Sequence, residues 1–280
     1  MTKLFYLILF ALLHSNIIGQ DLIEPTDLNG VKAVVIANIS GGIDVKPHNS
    51  MKLTIKGTIN ADNKIKNEIS VKKVLHNDTL IIYIESPLTR LKLWNNEDHF
   101  RDSWAVYDWE NQGNCEEMHE FTIDMKVNLP ADVPLSISTI NDGDLSVDSY
   151  QAPLWVNNIN GSISTYKVKD LRRARTINGD VDIYFDDEIG HDGDFYTLNG
   201  TINAYYRSGT DVNLSFKSFN GDFYTDMDIE TLPSITKTNN DANGLILKIS
   251  ESIRMKMGQG GVWHQFETFN GNAIIRSYNN

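Results

Sequence analysis

The chain has 280 residues, 41% of them hydrophobic and 22% charged, which excludes a disordered or collagen-like polypeptide, and one cysteine excludes a disulfide-stapled mini-protein. Twenty-five Lys and Arg stand against 37 Asp and Glu, a formal net charge of −12. That sign is wrong for neutralising phosphates, so no nucleic-acid partner is expected, nor adhesion to anionic lipid through charge alone.

The chain opens with a leader. Lys3 supplies a short positive region, residues 4–13 (LFYLILFALL) are an unbroken apolar run, and polar and small residues follow to Gly19. About ten apolar residues are too few for a membrane span, which takes about 20, but they suit the core of a secretory signal. Residues 1–19 are therefore expected to be removed on export. No cysteine near Gly19 could carry a lipid, and no later stretch reaches membrane-spanning length, so no transmembrane segment is expected. The expected location is periplasmic, outer-surface or secreted. Cys115, alone, cannot form a disulfide within the chain, so stability must come from packing and backbone pairing.

Residues 20–134 read as an N-terminal β segment. The stretches 31–36 (VKAVVI), 52–56 (KLTIK), 79–84 (TLIIYI) and 121–127 (FTIDMKV) carry apolar residues with period two, the signature of half-buried strands. Their β-branched and aromatic content suits a pleated surface. No window of a dozen residues offers an amphipathic helix, and the fold class is all-β.

Residues 94–119 interrupt that segment. Trp94, Phe100, Trp104, Tyr107 and Trp109 are interleaved there with charged residues that break any strand pattern. Aromatic side chains supply contact area at low entropic cost, and loops of this length often carry function. These five are the candidate partner-binding residues; the bland alternative is a loop whose rings pack over the end or face of the β structure. Cys115, Glu116, Glu117 and His119, with His99, offer mixed metal donors. The second ordered pair of a zinc site is missing, so no metal is expected.

From residue 135 a short phrase recurs. It reads TINDGDL at 139–145, NINGSI at 158–163, TINGDV at 176–181, TLNGTI at 197–202, SFNGDF at 218–223 and TFNGNA at 268–273. Asn141, Asn160, Asn178, Asn199 and Asn220 lie 19, 18, 21 and 21 residues apart, and Asn270 follows after 50. A degenerate copy, NISGGIDV, stands at 38–45. Asn-Gly between alternating runs can mark type I′ hairpins, which require φ > 0 at both central residues. It can equally mark the repeated corner of a single-chain β-solenoid, one rung per period. The regular period favours the solenoid over residues 135–280, continuous with the preceding segment as one domain.

On that reading Asn141, Asn160, Gly161, Asn178, Gly179, Asn199, Gly200, Asn220, Gly221, Asn270 and Gly271 are the repeat corners, and the Asn side chains can form a ladder at about 4.8 Å. The apolar neighbours Ile140, Ile159, Ile177, Leu198, Phe219 and Phe269 are expected to form an internal stack, so that Ile177→Asp should unfold it. Asn243-Gly244 fits either an irregular rung or a true hairpin within residues 236–249.

The leader, the leading β segment and these serial apolar-Asn-Gly-Asp-apolar phrases, most of all 176–181, 216–223 and 266–271, resemble a family of bacterial exported proteins called putative adhesins, a domain of unknown function. The resemblance covers about residues 30–280. It implies a β-helix-like fold and a place in the cell envelope. It implies no catalytic residues. The extra residue in Asn141-Asp142-Gly143 and the aromatic insertion depart from the pattern.

Other acidic groups are weaker candidates. Asp192 and Asp194, or Asp222, Asp226 and Asp228, could ligate calcium through oxygens, but match no EF-hand loop, and solvent-facing corners explain them better. The charge runs Asp186-Asp187-Glu188 and Arg172-Arg173-Ala174-Arg175 fall between phrases, where solvated loops are expected. No nucleophile elbow, phosphate loop or HExxH motif occurs. The expected function is thus a non-enzymatic, cofactor-free envelope adhesin or scaffold with an envelope protein or glycan as partner. The alternatives are a carbohydrate-active β-helix enzyme, a lyase or hydrolase, or an envelope signalling partner. Oligomeric state is not legible.

Overall fold

The computed structural model describes residues 19–278, apart from 88, 90, 94–102, 109–120, 187, 234–236, 242–243 and 249–251. The leader up to residue 18, Trp94, Phe100, Trp109, His99, Cys115 and His119 lie outside the described residues. Among those described, the strands are β1 (Gln20–Asp21), β2 (Thr26–Asp27), β3 (Ala33–Ala37), β4 (Ile43–Pro47), β5 (Lys52–Ala61), β6 (Ser70–His76), β7 (Thr79–Glu85) and β8 (Phe121–Leu129). Then come β9 (Leu135–Ser138), β10 (Leu145–Asp148), β11 (Leu154–Asn157), β12 (Ile163–Val168), β13 (Leu171–Asn178), β14 (Val181–Phe185), β15 (Gly193–Asn199) and β16 (Ile202–Arg207). The last are β17 (Val212–Asn220), β18 (Phe223–Thr225), β19 (Ile229–Leu232), β20 (Lys237–Asp241), β21 (Gly244–Lys248), β22 (Ile253–Met257), β23 (Trp263–Asn270) and β24 (Ala273–Tyr278).

The strands form two open eleven-stranded mixed sheets and one hairpin. The first sheet runs β1-β5-β8-β4-β10-β12-β14-β16-β24-β18, with β2 also on β5; the second runs β19-β22-β17-β23-β15-β13-β11-β9-β3-β7-β6. Each phrase joins a strand of the second sheet to one of the first, so each period adds one strand to both. Neighbours run parallel: Leu145 stands opposite Ile163, Ile163 opposite Val181, Val181 opposite Ile202, and Ile202 opposite Ala273. The strands flanking an Asn-Gly therefore do not pair with each other, which rules out hairpins at these corners. Inward residues make the core between the sheets, among them Val34, Ile36, Ile43, Leu135, Val156, Ala174, Ile183, Phe195, Ala204 and Phe266, all buried.

The degenerate copy at 38–45 joins β3 to β4 and sits directly beside the copy at 139–145, with Ile43 opposite Leu145. On its other side β3 pairs with β7 and β4 with β8. Residues 86–120 therefore take the place that a short corner holds in the later copies. At the far end chain order and sheet order part. β23 lies between β15 and β17, and β24 between β16 and β18. The Asn270 copy thus sits between those of Asn199 and Asn220. The 50-residue interval exists because the chain first builds β18, β19, the hairpin and β22, then returns. Around Asn243-Gly244 the antiparallel pairing of β20 with β21 is the hairpin alternative; Asn243 itself is outside the described residues.

One expectation is overturned. Ile140, Ile159, Ile177, Leu198, Phe269 and Phe219 do not stack inside. Ile177, Phe269 and Phe219 are 37%, 43% and 74% exposed, and the other three are half-buried. The residue before each of them points inward instead: Thr139, Asn158, Thr176, Thr197 and Thr268 are buried and Ser218 is half-buried. The reason lies in the corner. Its glycine carbonyl needs a donor, and only a polar residue on the inner face can supply one.

Candidate functional site

The corners are built by three hydrogen-bonded columns. In the first, Asn160 Nδ2 donates to Asn141 Oδ1, Asn178 to Asn160 and Asn199 to Asn178, each at 2.8 Å, and Asn270 to Asn199 and Asn220 to Asn270, each at 3.0 Å. In the second, Thr139 Oγ1 donates to the Gly41 carbonyl (2.8 Å), Asn158 Nδ2 to Gly143 (2.9 Å), Thr176 Oγ1 to Gly161 (2.8 Å) and Thr197 Oγ1 to Gly179 (2.8 Å). In the third, the residue after the glycine accepts from the backbone of the next copy: Ser162 N–H donates to Asp144 Oδ1 (2.7 Å), Thr201 N–H to Asp180 Oδ1 (2.7 Å) and Asp222 N–H to Asn272 Oδ1 (2.9 Å).

Glycine is dictated by close approach. A Cβ on Gly179 would lie 2.3 Å from the Gly161 oxygen, and one on Gly200 would lie 2.0 Å from the Gly179 oxygen. The extra residue at the first corner is absorbed by Asp142 in the left-handed conformation (φ 56°), where its carboxylate accepts from Ser40 Oγ at 3.0 Å.

Of the five aromatic candidates, the described structure places Tyr107, and it is not a surface contact. Its ring is 3% exposed. Its hydroxyl donates to the Ala37 carbonyl and accepts from the Ile84 N–H, both at 2.8 Å, and burial pushes its pKa up. The short 3-10 turn Ser103–Val106, which contains Trp104, lies against β3 and β9. The outer side of the second sheet is buried there at Val35, Ala37, Ser136 and Ser138. Of the insertion's described residues, this turn and Tyr107 lie against that part of the sheet.

Two outward rows on the first sheet were not foreseen. One runs Asp44, Ser146, Ser164, Asp182, Asn203 in register. Ser146 Oγ donates to Asp44 Oδ1 (2.8 Å), and Asn203 Nδ2 to Asp182 Oδ1 (2.7 Å). The other runs Tyr166, Tyr184, Tyr205. The Tyr184 and Tyr205 rings stack at 4.1 Å and 6°, Tyr166 tilts against Tyr184 at 5.6 Å, and Tyr278 meets Tyr184 edge-on at 5.5 Å. Desolvation first, then the Tyr205 hydroxyl, raises the Tyr184 pKa. Tyr184 and Tyr205 thus each cover one face of the other, while Lys167 lies over the Tyr166 ring and Arg207 over the Tyr278 ring. The sequence signal was available: Tyr166, Tyr184 and Tyr205 are each the fifth residue after a corner glycine.

At the β5 end the same outer face holds a depression of about 430 Å³ lined by Asp44, Lys56, Gly57, Asp124, Lys126 and Asp144. Its carboxylates already accept hydrogen bonds, Asp124 from Gly42 N–H (2.9 Å) among them. Among the described residues, no three His, Cys, Asp or Glu converge as metal ligands. Asp192 accepts from Trp263 N–H (2.7 Å) and Asp226 from Ser277 N–H (2.9 Å), so both tie strands together. The charge runs are ion-paired: Arg175 of β13 pairs with Asp194 of β15, Arg172 with Asp170, and Lys169 with Glu188.

No helix among the described residues is long and apolar enough to cross a membrane. No protein-family model matches the chain, and no curated protein matches it in sequence. Two solved structures are similar to it. One is described as a putative cell adhesion protein from Clostridium sporogenes ATCC 15579, at 14% identity and a TM-score of 0.47, covering 93% of this chain and 100% of that one. The other is described as a putative adhesin from Bacteroides fragilis NCTC 9343, at 12% identity and a TM-score of 0.31, covering 91% of this chain and 95% of that one.

Proposed function

We propose that the chain is an exported, non-enzymatic β-solenoid of the bacterial envelope that works as an adhesive or scaffolding surface for a glycan or protein partner. The observation that supports this reading is the in-register repetition on the outer face of the first sheet. Asp44, Ser146, Ser164, Asp182 and Asn203, beside Tyr166, Tyr184 and Tyr205, repeat a hydrogen-bonding group on the successive strands β4, β10, β12, β14 and β16. A partner with its own repeat meets many equivalent weak contacts at once, and linked contacts multiply affinity. The rows are held by hydrogen bonds and ring stacking before any partner arrives, so little ordering cost remains. Hydroxyl-rich glycans match donors and acceptors of this kind.

The test is a glycan array and an envelope pull-down with residues 20–280, run beside a general lyase and hydrolase assay. Binding without turnover, weakened at least about tenfold by the double substitution Tyr184→Ala/Tyr205→Ala, is the expected result. Turnover abolished by replacing a single carboxylate would establish the carbohydrate-active enzyme instead.

A further inference from the structure

Asparagine followed by glycine is the pair most open to spontaneous deamidation, because a glycine nitrogen, with no side chain beside it, reaches the neighbouring carboxamide carbon most easily. The stack repeats that pair at Asn160, Asn178, Asn199, Asn270 and Asn220. Four of the five are held. Asn160, Asn178, Asn199 and Asn270 each donate through Nδ2 to one neighbouring carboxamide and accept through Oδ1 from the other. The attacking nitrogens are engaged as well: Gly161 N–H donates to the Asn178 carbonyl (2.9 Å), Gly179 to Asn199 (3.1 Å), Gly200 to Asn270 (3.2 Å) and Gly271 to Asn220 (2.9 Å). Each of these corners must open locally before it can react.

The carboxamide column has two ends, and they differ. At the first, Asn141 is followed by Asp142, whose side chain crowds the nitrogen that would attack. At the last, Asn220 is followed by Gly221. Asn220 Nδ2 donates to Asn270, but no further carboxamide donates to Asn220 Oδ1. Gly221 N–H has no acceptor among the described residues, because the column has no copy beyond it. Gly221 is exposed, whereas Gly161, Gly179, Gly200 and Gly271 are half-buried. The strand that follows at once, β18, pairs with β24 alone.

We propose that Asn220 is a site of spontaneous covalent modification by water, and that its conversion releases the last rung of the stack. Hydroxide takes the Gly221 amide proton, the nitrogen bonds to Asn220 Cγ, and the Cγ–Nδ2 bond breaks as ammonia leaves. Water then opens the succinimide ring at either carbonyl, giving aspartate or isoaspartate. Both products lose the donor to Asn270 Oδ1 and add a negative charge two residues from Asp222. Isoaspartate also lengthens the main chain by one methylene at a corner without room for it: a Cβ on Gly221 would lie 1.8 Å from the Gly271 oxygen. β18 then leaves β24 while the earlier rungs stay paired. The reaction needs no partner, so its test stands apart from that of binding.

The test holds folded residues 20–280 in water labelled with heavy oxygen, at neutral and at alkaline pH, and maps the label by peptide mass spectrometry. Label should enter at Asn220 at least about tenfold faster than at any of the four held corners, and faster at alkaline pH. In concentrated urea all five should react alike. Asn29-Gly30, in an exposed turn outside the stack, gives the rate of an unheld pair in the same sample. The fraction modified at Asn220, isolated by its added charge, should lose amide-exchange protection over β18 and keep it over β9 to β16. Asn220→Gln keeps the carboxamide but closes no five-membered ring, so it should take up no label at that position and keep β18 protected. A folded chain that labels Asn220 no faster than Asn178, or a modified chain whose β18 stays protected, would overturn the proposal.

Discussion

At the scale of single residues, the corner reverses the usual sorting of polar and apolar groups. Thr176 is buried and Ile177 is exposed because the Gly161 carbonyl, crowded by Gly179, takes its hydrogen bond from Thr176 Oγ1 at 2.8 Å. Removing that hydroxyl leaves an acceptor without its donor, which costs about 1–3 kcal/mol. Thr176→Val should therefore lower the unfolding free energy obtained from urea titration by that amount, whereas Ile177→Asp should change it by less than about 1 kcal/mol, as expected at an exposed site. A larger loss from Ile177→Asp than from Thr176→Val would contradict the observed facing. The sequence made Asn and Gly conspicuous because both are fixed by local geometry. It hid the facing, since Thr-Ile-Asn satisfies period two equally well with either residue inside. What decides is a carbonyl belonging to a neighbouring copy 15 residues away, which no local pattern contains.

At the scale of elements, the late insertion of β23 and β24 separates what the chain order suggests is adjacent. β15 and β17 do not touch as neighbours; each pairs with β23, and Asn270 reaches Asn199 across 71 residues of sequence. Contacts that far apart carry a loop-closure cost before any pairing rewards them. A chain ended after Gly261 should keep amide-exchange protection over residues 135–186 and lose it over 212–232, which have no other parallel neighbour in the second sheet. Protection of both regions would mean that β17 can dock directly on β15. The strands themselves were legible from alternation, and the period from Asn spacing. Their order was not, because each phrase presents the same Asn, Gly and inward polar group and so fits against any other. The 50-residue interval alone signalled that the chain leaves the stack and comes back.

At the scale of the whole molecule, stability depends on a bridge between the two sheets at the place where the C-terminal strands enter. Tyr206 of β16 and His264 of β23 are both fully buried, and Tyr206 Oη lies 2.6 Å from His264 Nδ1. Phe185, Phe195 and Phe266 surround the pair: Phe185 stacks on Tyr206 at 4.7 Å, and Phe195 meets His264 edge-on at 5.2 Å and lies 5.2 Å from Phe266. Burial in this apolar cluster pulls the His264 pKa down from 6.5 to about 3, opposed only in part by the His191 backbone and the Asp192 charge. The imidazole is therefore neutral in the fold and shares a hydrogen bond with the Tyr206 hydroxyl. Unfolded chains bind a proton at this residue below pH 6.5 and folded chains do not until about pH 3. The contribution is whole above pH 6.5 and is lost as pH falls from 6.5 toward 3, at up to about 1.4 kcal/mol per pH unit. Urea midpoints at pH 7.5, 6, 5 and 4 should fall steeply for the parent chain. In His264→Phe the curve should start lower, for want of the Tyr206 partner, and be flatter by that slope. Parallel curves would mean that the ring reaches water in the fold and titrates there as it does unfolded.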